Sequence, residues 1–202
     1  MKDEKQLVLF FAPGTVIDGA NLAVKLVNKF NILGQPAVIP FDPSNPQQPL
    51  IIFNQGPINL TINNHDVSFI YGGEDHAKLY DEIMDIAEFF EDLDYSFERM
   101  GYVTTIIHSK KERENFKSNV FKDPEVASSE FQFSWYSKEL VDSVRVNVWE
   151  REMTDIMNGV ELVSVFDINT PIDEVYNITS DFLRDFIKQC DKYVEKKDKK
   201  YK

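Results

Sequence analysis

The sequence is poor in the residues that build disulfide-linked or metal-bound cores. It has one cysteine, Cys190, in 202 residues, so the chain can form neither an internal disulfide nor a multi-thiolate metal site. Its three histidines, His65, His76 and His108, are not spaced as ligands on one helix or in a zinc motif. The sequence therefore predicts no metal and no cofactor, and its single cysteine is typical of a reducing compartment.

The linear motifs of common enzymes and the segments that enter membranes are also missing. The chain contains no Gly-x-Gly-x-x-Gly fingerprint, no Gly-x-x-x-x-Gly-Lys-Ser/Thr loop and no Gly-x-Ser-x-Gly elbow. No apolar run approaches the ~20 residues of a membrane span, and the first strand-like run, residues 7–11, is too short for a signal peptide. These absences favour a non-catalytic, cytoplasmic protein, and an enzyme without a linear motif is left open.

The composition that remains is typical of a globular protein. Hydrophobic residues make up 43% of the chain and aromatic residues 13%, enough to bury a core in a single compact domain of residues 1–202. Strand and helix patterns follow one another in the order β-α-β-β-β-α in residues 6–94 and again in residues 97–194. This order predicts an α+β fold, in which long helices cover one face of a curved antiparallel sheet. The lysine-rich residues 195–202 are predicted to form a disordered basic tail.

The clearest local pattern lies in residues 49–94. Residues 58–62 and 67–71 alternate apolar with polar side chains on either side of Asn63-Asn64, which predicts a β-hairpin. From Asp75 to Leu93 the apolar residues follow helical spacing, with Asp75 as the predicted N-cap. The segment therefore predicts a hairpin that leads directly into a long amphipathic helix.

Two more helices are predicted from residues suited to helix starts. Asp18 is the predicted N-cap of a helix with an apolar stripe that includes Leu22 and Leu26. Thr170-Pro171 is the predicted start of the last helix, because proline is favoured at the first helical position. Val175 and Ile178 then belong to the apolar stripe of that helix.

The predicted order of elements resembles the TATA-box-binding-protein-like and helix-grip architectures, a likeness of topology that implies no function. The stretch Phe97-Glu98-Arg99-Met100-Gly101-Tyr102, with Phe166-Asp167-Ile168 before the last helix, resembles a sporadically distributed bacterial family of uncharacterised α+β proteins. That resemblance covers the middle and end of the chain. It implies a fold and no established activity.

Acidity is the strongest feature of the chain. Asp and Glu number 34 against 22 Lys and Arg, a net charge of −12, and residues 74–94 alone carry nine acids and one lysine. Within the predicted helix four acids recur at steps of four, three and four residues: Asp81, Asp85, Glu88 and Asp92. This spacing places their carboxylates on one face, opposite the apolar stripe.

Three interpretations of this acidic face are open. It is either a solvated surface that maintains solubility, or a docking surface that attracts a basic partner, or a metal site built on Asp81 and Asp85. The metal site is least favoured, because no histidine lies on that face. Among functions the sequence favours docking, which predicts an inhibitor or regulator of a protein partner with a basic surface. The same acidity argues against direct nucleic-acid binding.

The alternative is a small-molecule or nucleotide site between sheet and helices. A sheet gripped by helices can enclose an apolar cavity, and four residues are conceivable polar and aromatic contacts for its ligand: Arg99, His108, Trp135 and Arg145. Alternating aromatic residues, like those around Trp135, more often belong to a packed core.

Overall fold

The computed structural model describes residues 4–72, 76–120, 132–141, 143–155 and 160–199. Within these ranges the chain forms nine strands and four α-helices. The strands are β1 (Glu4–Phe11), β2 (Ala37–Val38), β3 (Ile51–Phe53), β4 (Ile58–Ile62), β5 (Asp66–Gly72), β6 (Phe97–Ile107), β7 (Gln132–Val141), β8 (Val144–Asp155) and β9 (Val160–Asn169). The helices are α1 (Gly19–Lys29), α2 (His76–Asp92), α3 (Lys110–Val120) and α4 (Ser180–Asp198), with a 3₁₀ turn at Asn31–Leu33. In the described part of the chain, none of these helices combines the length and the apolar character that crossing a membrane requires.

The strands form one open antiparallel sheet in the order β2-β3-β4-β5-β1-β6-β9-β8-β7. The two halves of the chain meet at its centre, where β1 pairs with β6 and Leu7 lies opposite Tyr102. From this pair the order β5, β4, β3 on one side matches β9, β8, β7 on the other. The predicted α+β class and antiparallel sheet are confirmed, and a duplicated β-α-β-β-β-α unit would produce this order of strands.

Helices cover one face of the sheet. In β1 the alternate residues Leu7 and Leu9 are fully buried, because alternate side chains of a strand point to the same face. Against them α2 packs the stripe that the sequence predicted: Leu79, Ile83, Ile86 and Phe90. α4 lies beside α2 and adds Leu183, Phe186, Ile187 and Cys190 to the same core. Each such side chain contributes about 1.5–3 kcal/mol when it is fully buried.

Two local structures follow the predicted side-chain chemistry. Asn63 closes the β4–β5 hairpin, since its Oδ1 accepts from the backbone N–H groups of His65 and Asp66 at 2.6 and 2.9 Å. Asp18 caps α1 by accepting from the Asn21 N–H at 3.2 Å. The predicted cap of α2 at Asp75 lies outside the described residues.

The last helix begins later than predicted. α4 starts at Ser180 and is capped by Thr179, whose Oγ1 accepts from the Phe182 N–H at 3.2 Å. The prediction of a start at Thr170-Pro171 is wrong, because this segment is hydrogen-bonded to the sheet instead. The Thr170 N–H donates to the Met100 carbonyl at 3.0 Å. Proline at this point therefore follows a strand and starts no helix.

The end of α4 also differs from the prediction. Residues 195–198, assigned to a disordered tail, form the last turn of the helix. Val194 and Asp198 are buried there, and the Lys197 Nζ lies 3.9 Å from the Glu150 Oε2 on β8. The helix continues because its last turn still finds partners on the sheet. Residues 200–202 lie outside the described ranges.

Candidate functional site

Polar side chains are buried together on the helix-covered face of the second half. Glu152 on β8 and Ser164 on β9 lie opposite each other in the sheet, and both are 0% exposed. His108 follows β6 directly and is also buried, with its N–H donating to the Leu162 carbonyl at 3.1 Å. A buried carboxylate and a buried imidazole both require hydrogen-bond partners. Glu152 and His108 form these hydrogen bonds within the cluster.

The hydrogen bonds of this network run from His108 through Ser164 to Glu152. The Ser164 hydroxyl donates to Glu152 Oε2, so the Ser164 oxygen accepts from His108 Nε2 at 2.5 Å. His108 therefore carries a proton on Nε2. Its Nδ1 lies 3.8 Å from Oδ1 of Asp198 in the last turn of α4. The network thus joins β8, β9 and the residue that follows β6 to the end of the last helix.

A cleft of about 610 Å³ lies beside this network, bordered by α3, β7, β8 and α4, and is called the α3 cleft below. Its apolar wall contains Phe116, Val120 and Trp135. Its polar wall contains Glu139, Glu150 and Lys197. Glu150 lies two residues before Glu152 on β8, and Lys197 precedes Asp198 on α4. The cleft and the buried network therefore share β8 and the last turn of α4.

The α3 cleft is acidic. Desolvation lowers the pKa of Lys197, but the Tyr193 hydroxyl and the Glu150 and Glu139 carboxylates outweigh it, so the pKa is raised overall. The Lys197 Nζ lies 5.2 Å from the ring centre of Tyr193. Lys197 is therefore charged at neutral pH, and two carboxylates in the cleft face one ammonium group.

The four residues of the predicted ligand pocket lie in three places. His108 belongs to the buried network, and Trp135, opposite Glu150 in the sheet, lines the α3 cleft on the same face. Arg99 lies on β6 with its guanidinium 4.7 Å from the ring centre of Phe10. Arg145 lies at the start of β8 and forms an ion pair with Glu174 at 2.7 Å. The structure thus brings two of the four together on the helix-covered face and separates the others.

The four acids predicted to share one face of α2 are all exposed: Asp81, Asp85, Glu88 and Asp92. Two of them have basic neighbours, since Asp81 lies 3.5 Å from Arg184 and Asp92 lies 3.7 Å from Lys29. A groove of about 420 Å³ runs along this face beside Phe30. No group of three or more His, Cys, Asp and Glu side chains among the described residues is arranged to hold a metal ion.

Glu152, Ser164 and Asp198 were not predicted from the sequence. A signal for Glu152 was present, because the alternation of Val144, Val146 and Val148 continues through Glu150 to Glu152. Inward positions of a strand occupied by carboxylates indicate a buried polar site. Ser164 and Asp198 have no comparable signal, since only the sheet order places them beside Glu152.

Comparison with family models, with curated proteins and with solved structures found no match to this chain. The resemblance to a bacterial α+β family therefore stays a prediction. The chemistry of the α3 cleft rests on its own residues.

Proposed function

We propose that this protein binds a small organic amine with an apolar or aromatic body in the α3 cleft. The observation that carries the proposal is Glu150, a residue only 7% exposed, in a cleft that Trp135 and Phe116 also line. An ammonium group is stabilised both by a carboxylate and by the face of an aromatic ring. Apolar walls with a few well-placed polar groups are typical of small-molecule sites. This is a narrower form of the ligand-pocket alternative that the sequence predicts.

Different residues of the cleft contact different parts of the ligand. Glu150 and Glu139 hold the ammonium group of the ligand, and Trp135 with Phe116 contacts its apolar body. Lys197 keeps the two carboxylates from repelling each other when the cleft is empty. The buried network beneath the cleft positions β8 against the end of α4 and thereby orients Glu150.

The burial of Ser164 favours binding over catalysis by this network. A serine that attacks a substrate must present its oxygen to the ligand, with a base on its other side. Ser164 is 0% exposed and donates its proton to Glu152, so its oxygen faces protein on every side. The network therefore contains the residue types of a catalytic triad, but a substrate cannot reach its serine.

A fluorescence titration with phenethylamine tests the proposal. The chain has two tryptophans, and Trp149→Phe leaves Trp135 as the only reporter. Trp149 suits this change because it lies on the opposite face of β8, its ring 4.9 Å from that of Tyr136. We expect saturable binding that Glu150→Gln weakens about tenfold or more, since a buried charged hydrogen bond is lost.

Two matched controls make this titration decisive. Glu195→Gln removes an exposed acid of α4 and should change the affinity less than about twofold. Phenethyl alcohol has the same body without the charge and should bind about tenfold more weakly or worse. Equal binding of amine and alcohol would contradict the proposal. If Glu150→Gln loses the native circular dichroism spectrum, the partly exposed Glu139→Gln replaces it.

The groove along α2 favours a second candidate function. We propose that it docks a protein partner with a basic surface, with this protein acting as its inhibitor or regulator. Asp85 and Glu88 support this proposal, because no base among the described side chains lies within 4.0 Å of either. Their charge is available to a partner. Both functions suit a cytoplasmic protein, in agreement with the free thiol of Cys190.

Charge reversal tests the docking surface. Asp85→Lys with Glu88→Lys should abolish the capture of a basic partner at low salt, whereas the exposed pair Asp181→Lys and Asp185→Lys on α4 should retain it. The measurement is affinity capture with mass-spectrometric comparison of the retained proteins. Identical sets of partners for the two reversed proteins would sink the docking hypothesis.

A further inference from the structure

A second pocket lies at the end of β1, and its polar character differs from that of the α3 cleft. Its volume is about 510 Å³, and it is called the Arg99 pocket below. Phe10 and Arg99 form part of its wall. The other residues that line it are Phe11, residues 12–16, Phe41, Asn64, His65 and the acidic Glu98. Phe10 lies between the buried Leu9 and Phe11 and therefore points away from the helix-covered face, and Arg99 lies directly opposite Phe10 in the sheet.

An irregularity in the central strand pair shapes this wall. Phe10 lies opposite Arg99, but Phe11 lies opposite Phe97, so Glu98 is an extra residue on β6. Such a β-bulge bends its strand and redirects the side chains next to it, which is why bulges are frequent beside functional sites. Here the bulge places Arg99 at the point where β1 leaves the sheet.

The loop that closes the pocket is held by its own hydrogen bonds. The N–H and the Oγ1 of Thr15 both donate to the Ala12 carbonyl, at 3.2 and 2.7 Å. Gly14 between them adopts a φ of 84°, a conformation that glycine takes without strain. The pocket is therefore formed before any ligand arrives, as small-molecule sites usually are.

Arg99 is the group in this pocket that indicates a ligand. Its guanidinium carbon lies 4.7 Å from the ring centre of Phe10, and its Nε is buried without a hydrogen-bond partner. No carboxylate among the described residues lies within 4.0 Å of the guanidinium. A buried donor that lacks a partner is satisfied when a ligand supplies an acceptor.

We propose that the Arg99 pocket binds a ligand that carries a carboxylate or a phosphate on an apolar or aromatic body. The planar fork of a guanidinium donates two parallel hydrogen bonds to either oxyanion. Phe10 and the 53% exposed Phe41 offer apolar surface for the body, and the exposed His65 adds a polar group. This site prefers an anionic ligand, whereas the α3 cleft prefers a cationic one. The proposal for the Arg99 pocket does not depend on the function proposed for the α3 cleft.

An NMR titration of the full chain with phenyl phosphate and with phenylacetate tests the site. We expect saturable shifts of the backbone amides of Gly14, Phe41 and Arg99. The indole N–H signals should not move, because both tryptophans lie on β7 and β8. Arg99→Gln should weaken binding about tenfold or more, since it removes the bidentate donor.

The control is Arg145→Gln, which removes an exposed arginine that already pairs with Glu174 and should change the affinity less than about twofold. Phe41 lies on an exposed loop. Phe41→Ala should therefore weaken binding several-fold even if Arg99→Gln disturbs the fold. Preference for one probe identifies the oxyanion that the site takes. The proposal is overturned if neither probe gives saturable shifts by about 10 mM, or if Arg99→Gln and Phe41→Ala both bind like the unchanged protein.

Discussion

Asp191 on α4 is the link between the last helix and the two central strands of the sheet. Its Oδ1 accepts from the Lys5 Nζ at 2.7 Å and from the Tyr102 hydroxyl at 2.5 Å. Tyr102 is 0% exposed, and its hydroxyl has the Tyr71 hydroxyl as a second hydrogen-bond partner. We therefore predict that Asp191→Ala destabilises the fold by removing the charged acceptor of a buried hydroxyl.

The size of the expected destabilisation follows from the exposure of Lys5, Asp191 and Tyr102. The side chains of Lys5 and Asp191 are 20% and 36% exposed, so solvent reduces the contribution of the ion pair to about 1 kcal/mol or less. The loss of the charged acceptor of the buried Tyr102 hydroxyl costs a further 1–3 kcal/mol or so. We expect a total loss of about 2–3 kcal/mol in the free energy of unfolding.

Urea unfolding followed by far-UV circular dichroism measures this loss. Asp185→Ala is the matched control, because it removes an exposed acid from the same helix and should change stability by less than about 0.5 kcal/mol. Combining Asp191→Ala with Tyr102→Phe should cost less than the sum of the two single changes, since the partners share one interaction. The reasoning is refuted if Asp191→Ala behaves like Asp185→Ala, or if the costs of the two single changes simply add.

Three other positions carry testable consequences. A Cβ on Gly56 would lie 2.0 Å from the Ile32 carbonyl oxygen, so Gly56→Ala should destabilise by about 2 kcal/mol or more in urea. Desolvation raises the pKa of Asp66 in the folded chain, so its ionised carboxylate opposes folding at pH 7. Asp66→Asn should therefore increase the resistance to urea at pH 7. This gain should vanish below about pH 4, where the carboxyl group is protonated in the folded and the unfolded chain. Burial, then the neighbouring Asp191 carboxylate, raises the pKa of the Cys190 thiol, so a thiol reagent should label it about a hundredfold more slowly in the native chain than in urea.

The elements that sequence reasoning predicted well are those whose own side chains determine them. α2 has a long apolar stripe from Leu79 to Phe90, and the β4–β5 hairpin has an Asn63 that accepts two backbone hydrogen bonds. In both cases the side chains that form the pattern lie within a few residues of one another in the chain. The start of α4 depends instead on a distant partner, because Thr170 hydrogen-bonds to Met100, seventy residues away. A proline at a helix-like start could not reveal that contact.

The candidate site was less predictable than the fold for the same reason. His108, Glu152 and Ser164 come from three strands that become neighbours only through the order β6-β9-β8. Trp135 and His108 were identified from the sequence as conceivable contacts, but nothing near either residue showed that they share a face with Glu150. The carboxylates of β8 were detectable as inward positions, and their partners were not.

The two halves differ in how the first helix of each packs against the sheet. α1 follows β1 and buries Leu22, Ala23 and Leu26 in the main core. α3 follows β6 in the same order of elements, yet Phe116 is its one buried residue among the described side chains, and it packs in a small separate cluster. Because α3 contributes so little to the main core, the space beneath it can hold charged groups and a cleft. At the corresponding point of the first half, α1 fills the main core with apolar side chains instead.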